Sequence, residues 1–111
     1  MDKLKLLFIC SMNLHRSKTA EEKFRNVFET RSKGLSDKLV KEDDLDWADV
    51  VLVMEDDHRK ELGLRFPQKY LEKRILCLDV PDIYLYNSPP LVEVLEERMD
   101  RYFTKDGKPK Y

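Results

Sequence analysis

The sequence predicts an α/β fold in which helices cover both faces of a parallel sheet, a three-layer α/β/α arrangement. Apolar runs of strand length occur at residues 4–9, 49–54 and 74–78. These runs are continuous rather than alternating, which is typical of strands buried on both faces. Stretches with helical spacing of apolar residues separate or follow them, and strands that alternate with helices form parallel sheets through right-handed crossovers.

The elements between the first two runs are assigned by periodicity and composition. A helix is predicted over residues 17–29, because Ala20, Phe24, Val27 and Phe28 form one apolar stripe. Residues 36–46 are polar and acidic, and a solvated loop or helix start is expected there rather than a metal site. The next run, residues 49–54, is rich in β-branched side chains and is predicted to be a strand.

The second half of the chain supplies three more helices. A helix over residues 55–62 should end near Gly63 and carry His58 as a solvated surface residue. A short helix is predicted at residues 67–73, with Tyr70 and Leu71 packing inward. Ser88 and the prolines after it suit the start of a last helix.

Composition limits the classes of function. The chain has 111 residues and a mass of 13.3 kDa, which suits a single small core. We predict one domain over residues 1–104 and a frayed polar tail over residues 105–111. A net charge of −1 and a pI near 6.1 give no general attraction to nucleic acid or anionic membranes. No apolar run is long enough to span a bilayer, so we expect a monomeric cytoplasmic protein without nucleic-acid or membrane partners.

The first apolar run ends in a loop suited to binding an anion. Residues 4–17 read LKLLFICSMNLHRS, so Cys10 lies at the carboxyl end of a strand and five residues separate it from Arg16. A loop of this length can direct its N–H groups at an anion of phosphate size, and the following helix adds its positive end. These surroundings favour the nucleophilic thiolate, and the planar guanidinium can grip two phosphate oxygens.

The cysteine count supports a reactive role for this thiol. Cys10 and Cys77 are the two cysteines of the sequence, and neither belongs to a Cys-x2-Cys pair. The pattern therefore predicts neither a disulfide scaffold nor a metal site, and no cofactor is expected. Cys77 is predicted to be a small core residue, whereas a reactive Cys10 suits a reducing compartment.

The segment ICSMNLHRSKTAEEKFRNVF resembles the N-terminal region of the low-molecular-weight protein tyrosine phosphatases, and WADVVLVMEDDHRKEL resembles their third strand and the helix after it. The resemblance implies a four-stranded sheet of order 2-1-3-4, whose second strand lies near residues 30–35. It implies that Cys10 is the nucleophile and Arg16 the phosphate clamp. Asn13 would hold the loop's shape and Ser17 would donate its hydroxyl to the thiolate. The expected phosphate-binding loop residues are Ser11, Met12, Asn13, Leu14, His15 and Ser17.

Three features depart from the family pattern. The family usually has glycine where Met12 stands, which bears on the geometry of the loop. Many members have a second cysteine where His15 stands, so a protective disulfide within this loop is not available. The segment after the second strand is shorter than in the family, so a more open cleft is expected.

The fourth strand is followed by candidates for a proton donor. A thiolate displaces an alkoxide or phenoxide only if the departing oxygen is protonated, and a carboxylic acid beside the loop would do this. Asp82-Ile83-Tyr84 resembles the family's Asp-Pro-Tyr, and Asp79 is a competing candidate. Asp82 is favoured because Tyr84 would then flank the substrate ring, with Tyr86 as a further lining residue. Alternatively, both aspartates are turn residues around a proline.

The leading interpretation is a phosphomonoesterase that works through a phosphocysteine. Its expected substrates are phosphotyrosine proteins or small aryl phosphates, as the resemblance implies. One alternative is a phosphate-binding or phosphoprotein-binding module without turnover, which the departures at Met12 and Ile83 motivate. Another is an arsenate reductase on the same fold, which would need further cysteines to pass the oxidation along.

Overall fold

The computed structural model describes residues 2–111. Its sheet has four parallel strands, β1 (Lys5–Cys10), β2 (Glu29–Gly34), β3 (Val50–Val53) and β4 (Arg74–Cys77), in the order β2-β1-β3-β4. This order and the parallel pairing confirm the prediction. The helices are α1 (Arg16–Phe24), α2 (Glu42–Trp47), α3 (Asp56–Arg65), α4 (Pro67–Glu72) and α5 (Pro89–Asp100).

The two faces of the sheet bury separate cores, which explains why the strands are apolar along their whole length. Leu6 and Phe8 of β1 belong to a core that includes residues of α1 and α5. Leu7 and Ile9 belong to a second core that includes Leu62 of α3. Because neighbouring side chains of a strand point to opposite faces, only an unbroken apolar run serves both cores.

The topology brings three segments to one edge of the sheet. The chain leaves β1 for β2 on one side, and β3 then pairs with β1 on the other side, so the strand order switches at β1. In such sheets, ligands bind outside the carboxyl ends of the strands at this switch. The loop after β1, the start of α3 and the loop after β4 all lie at that edge.

Two predicted helix ends are wrong. Helix α1 ends at Phe24 rather than at Glu29, because Glu29 joins the sheet and its N–H bonds the carbonyl of Leu4 at 3.0 Å. Helix α3 continues through Gly63 to Arg65. A Cβ at Gly63 would lie 3.4 Å from the Tyr70 ring, an ordinary van der Waals distance, so Gly63 packs against α4 from within the helix rather than stopping it.

The predicted environment of Leu71 and the predicted fraying of the tail are also wrong. Leu71 is 82% exposed, and Tyr70 alone of the predicted pair packs against the core. Ser88 is at the N-cap of α5 and prolines occupy the first turn, as predicted, although the Ser88 hydroxyl makes no capping bond. The tail is not frayed, because the Lys110 N–H bonds the carbonyl of Tyr102 at 2.7 Å and the Tyr111 ring packs on Phe103. Within residues 2–111, no helix is long and apolar enough to cross a membrane.

Candidate active site

The loop after β1 is held by the end of β2. The N–H groups of Leu35 and Ser36 bond the carbonyl of Ser11 at 2.8 and 2.7 Å. A Cβ at Gly34 would lie 2.8 Å from that carbonyl oxygen and 2.1 Å from the carbonyl oxygen of Asp37. Glycine is therefore the residue that lets β2 approach the loop this closely.

Asn13 gives the loop its turn. Its φ of 52° lies in the left-handed region, which asparagine tolerates better than most residues, and its Nδ2 donates to the carbonyl of Ser32 in β2 at 3.3 Å. Met12 is not among the described residues with positive φ. A side chain at position 12 therefore needs no strained backbone, and it points outward, half exposed, at the mouth of the loop.

Cys10, Ser17 and Asn13 form a buried chain of hydrogen bonds. Cys10 is 3% exposed and its Sγ lies 2.9 Å from the Ser17 Oγ, which lies 2.7 Å from the Asn13 Oδ1. A hydroxyl has one proton to donate. With a thiol, the S–H donates to Ser17 and Ser17 donates to Asn13; with a thiolate, Ser17 can turn its proton to the sulfur. The arrangement serves both protonation states of the thiol.

Arg16, the first residue of α1, links the loop to two other segments. Its side chain is buried, and its Nη1 donates to the Glu55 Oε1 at 2.5 Å and to the carbonyl of Val80 at 2.8 Å. Its Nε lies 3.7 Å from the Asp82 Oδ1. Both of these hydrogen bonds come from Nη1. The guanidinium is thus fixed by its surroundings before any ligand arrives.

The two candidate acids lie in different places. Asp82 lines the same cleft as Cys10 and Arg16. Asp79 has a φ of 55°, and it lines a separate depression together with Glu55, Asp56 and Asp57. The turn at Asp79 therefore directs that carboxylate away from the thiol, whereas Asp82 is placed beside the guanidinium.

The cleft has a volume of about 390 Å³, and its mouth is framed by exposed apolar side chains from both loops. Tyr84 lines this cleft. Tyr86 instead donates its backbone N–H to the His15 Nδ1 at 3.0 Å and its hydroxyl to Glu22. The residues that line the cleft are Cys10, Ser11, Met12, Leu14, His15, Arg16, Asp82, Ile83, Tyr84 and Leu85.

His58 is not the solvated surface residue that the sequence predicts. It is 4% exposed, and its Nε2 lies 3.1 Å from the Ser11 Oγ while its Nδ1 accepts the N–H of Glu55 at 3.1 Å. Its charged neighbours along the sequence had suggested a solvated position. The signal that could have found it is its spacing from Glu55, since a side chain three residues into a helix commonly caps the N–H of the N-cap residue.

Solved structures share this arrangement of strands and helices. The tyrosine phosphatase Wzb from Escherichia coli, determined in complex with phosphate, matches with a TM-score of 0.73 and 17% identity over 89% of this chain and 95% of that one. This is the low-molecular-weight phosphatase fold. A low-molecular-weight protein tyrosine phosphatase from T. tengcongensis gives a TM-score of 0.68 at 24% identity, covering 87% of this chain and 93% of its own.

The same fold also hosts a different substrate specificity. The YwlE arginine phosphatase from Geobacillus stearothermophilus matches with a TM-score of 0.62 and 22% identity over 88% of this chain and 84% of that one. No protein-family model matches the sequence, and no curated protein does. The low-molecular-weight phosphatase fold is therefore shown by three-dimensional similarity.

Within residues 2–111, no group of three or more His, Cys, Asp and Glu side chains is arranged to hold a metal ion. Arg16 and the loop residues line the cleft, and the first turn of α1, whose N–H groups have no partners within the helix, begins at Arg16. Such a site suits an oxyanion.

Proposed function

We propose that this protein hydrolyses phosphomonoesters through a phosphocysteine intermediate, with phosphotyrosine in proteins as its preferred substrate. The observation that carries the proposal is the convergence of Cys10, Arg16 and Asp82 on one cleft at the carboxyl edge of the sheet. A thiol nucleophile, an oxyanion clamp and a carboxylic acid are the three groups that this chemistry requires.

In the first half-reaction, the Cys10 thiolate attacks phosphorus as the bond to the leaving oxygen breaks. The carboxylic acid of Asp82 gives its proton to that oxygen, so the alcohol or phenol departs neutral. Arg16 and the loop N–H groups hold the three other phosphate oxygens as their charge redistributes. Protonated Asp82 thus becomes a carboxylate.

In the second half-reaction, water attacks the phosphocysteine. The Asp82 carboxylate takes a proton from this water, the P–S bond breaks, and inorganic phosphate leaves. The Ser17 hydroxyl, 2.9 Å from the sulfur, stabilises the thiolate as it reforms. Both halves use this chain's own groups, so the proposal includes no metal or cofactor, and a thiolate nucleophile suits the reducing cytoplasm.

The side chains at the walls of the cleft favour an aryl phosphate over phosphoarginine as the substrate. Met12, Leu14, Ile83 and Leu85 are all exposed at the cleft and offer apolar contact, and Tyr84 adds an aromatic wall. An aromatic ring gains free energy from such contacts. A guanidino group needs hydrogen-bond acceptors in place of water, and the four apolar side chains at the cleft mouth supply none.

Substrate preference can be measured with two peptides that differ only at the phosphorylated residue. We expect kcat/KM for the phosphotyrosyl peptide to exceed that for the phosphoarginyl peptide by on the order of 10²-fold, because unpaired polar groups cost more than a lost apolar contact. A Leu14→Thr variant, which adds a hydroxyl to the wall, is the matched control and should narrow the ratio. A preference for phosphoarginine in the native protein would overturn the substrate assignment.

The proton donor can be tested through the leaving group. Asp82→Asn should lower kcat/KM, which reports the first half-reaction, by on the order of 10²–10³-fold for phenyl phosphate, which needs protonation, and by much less for a nitrophenyl ester, whose phenolate leaves unaided. Asp79→Asn is the matched control, since Asp79 lines a different depression, and it should leave both rates near those of the native protein. If Asp79→Asn produces the leaving-group dependence instead, the two assignments are exchanged.

Binding without turnover remains the second candidate, and a specific observation favours it. The Asp82 carboxylate is exposed and lies 3.7 Å from the Arg16 Nε, at the outer limit of an ion pair. A protein that binds phosphate but leaves aryl phosphates intact would be a phosphoprotein-binding module on this fold.

A further inference from the structure

His58 connects two parts of the candidate site that are distant in sequence. Its ring is buried at the start of α3, and both ring nitrogens have partners. Nδ1 accepts the backbone N–H of Glu55 at 3.1 Å, so in a neutral ring this nitrogen carries no proton. The proton is therefore on Nε2, which donates to the Ser11 Oγ at 3.1 Å.

Each partner of His58 leads to a group that would act on phosphate. Ser11 follows Cys10 directly, and its carbonyl is the one that β2 holds. Glu55 accepts a bond from the buried Arg16 guanidinium at 2.5 Å. One imidazole thus ties the loop behind the thiol to the carboxylate that fixes the guanidinium.

We propose that neutral His58 is a positioning residue, which keeps the phosphate loop and the Arg16 guanidinium in the mutual orientation needed to bind an oxyanion. The inference deepens the proposed function and rests on it for its catalytic consequence. Its structural part, a tie between Ser11 and the Glu55–Arg16 pair, applies equally to a module that only binds phosphate.

Only the neutral ring can make both bonds. A proton on Nδ1 would face the N–H of Glu55, so two donors would oppose each other and the bond would be lost. The charged groups that face the ring are Arg16 from α1, Glu55 and Asp57 at the start of α3, and Asp82 from the loop after β4. Burial, aided by Arg16, lowers the pKa of His58 below its ordinary value of 6.5 in spite of the three carboxylates.

The sign of the pH effect follows from this direction. The unfolded chain binds the proton of His58 more tightly than the folded chain, so protonation favours unfolding and opening of the site. The contribution of neutral His58 to the free energy of unfolding is complete above pH 6.5. It is lost as the pH falls through the lower pKa that His58 has in the folded state. Oxyanion binding should therefore persist in mild acid and weaken once the pH falls below the pKa of His58 in the folded protein.

The test combines two variants of His58 with one of its partner. His58→Gln retains an amide donor and acceptor but does not titrate. We expect its phosphate inhibition constant and KM to stay within about threefold of native, and its phosphate binding not to show the weakening in acid that protonation of His58 causes. His58→Ala should raise both constants by roughly tenfold with a smaller change in kcat. Thermal unfolding of each variant separates misfolding from a change in binding.

A double-mutant cycle decides whether His58 acts through the loop. If it does, Ser11→Ala combined with His58→Ala should weaken phosphate binding no more than about the larger single effect, because the Ser11–His58 hydrogen bond that Ser11→Ala removes is already lost in His58→Ala. Fully additive effects would overturn the proposal. So would native affinity in a folded His58→Ala variant.

A spectroscopic measurement keeps this inference separate from the proposed activity. The sequence contains two histidines, so ¹⁵N NMR of the rings with His58→Gln for assignment resolves His58 from His15. We expect the Nε2–H tautomer at neutral pH and a midpoint below 6.5. An Nδ1–H tautomer or an ordinary midpoint would overturn the inference even in an active enzyme. The expected spectrum and phosphate affinities without turnover would instead refute only the proposed function.

Discussion

Cys10→Ser is expected to abolish hydrolysis of aryl phosphates while leaving phosphate binding within a few-fold of native. A serine hydroxyl is a far weaker nucleophile than a thiolate unless a base activates it, and the side chain that hydrogen-bonds position 10 is the Ser17 hydroxyl, which is not a base. We expect kcat to fall on the order of 10⁴-fold or more, as for other nucleophile replacements. The binding groups, Arg16 and the loop N–H groups, are unchanged, so calorimetry with inorganic phosphate should detect a similar affinity.

Cys77→Ser is the matched control for this prediction. Cys77 ends β4 and packs with the second core, and burial raises the pKa of its thiol, which disfavours the reactive thiolate. This variant should retain native kcat, with some loss of stability from the polar replacement. Turnover that survives in Cys10→Ser, or that disappears only in Cys77→Ser, would contradict the nucleophile assignment.

Arg16→Ala is expected to impair both binding and rate. Arg16 is 3% exposed, and its guanidinium is fixed by Glu55 and the Val80 carbonyl. Its replacement by alanine therefore removes a preorganised cation from the cleft. We expect kcat to fall on the order of 10²–10³-fold and phosphate affinity to fall with it, as for loss of a preorganised oxyanion donor. Steady-state kinetics and phosphate inhibition measure the two effects separately.

Two further variants distinguish a direct role of Arg16 from a structural one. Arg16→Lys keeps the charge but not the planar fork, so it should recover little of the rate. Glu55→Gln removes the carboxylate that pairs with Arg16 but keeps the guanidinium, and its effect should be smaller than that of Arg16→Ala. Unchanged kcat and KM in a folded Arg16→Ala variant would remove this residue from the site.

The parts of the fold that were predicted are those that local sequence determines. β1 and β3 are buried on both faces, so their apolar runs identify them without further information. β2, by contrast, reads ETRSKG and lies at the edge of the sheet, where only part of it is buried. No apolar pattern marks such a strand, and its assignment depended on the family resemblance.

The features that were missed are set by packing between segments distant in sequence. His58 has charged neighbours in the sequence, which is typical of a solvated position. It is nevertheless buried and hydrogen-bonded to Ser11 in the loop after β1. Gly63 is a common helix stop, but the Tyr70 ring of α4 makes it a packing position. The sequence around Pro81 likewise did not reveal the positive φ of Asp79, which lines a different depression from Asp82.

The central claim is that a phosphoryl group passes through the Cys10 sulfur. The most direct test is to quench Asp82→Asn with acid during hydrolysis of a nitrophenyl phosphate, then digest the protein and search for phosphate by mass spectrometry. This leaving group departs without the acid, whereas the second half-reaction lacks its base, so the intermediate should accumulate. We predict a phosphoryl adduct on the peptide that contains Cys10. Continuing turnover with no adduct on that peptide, or with an adduct on another residue, would contradict the account.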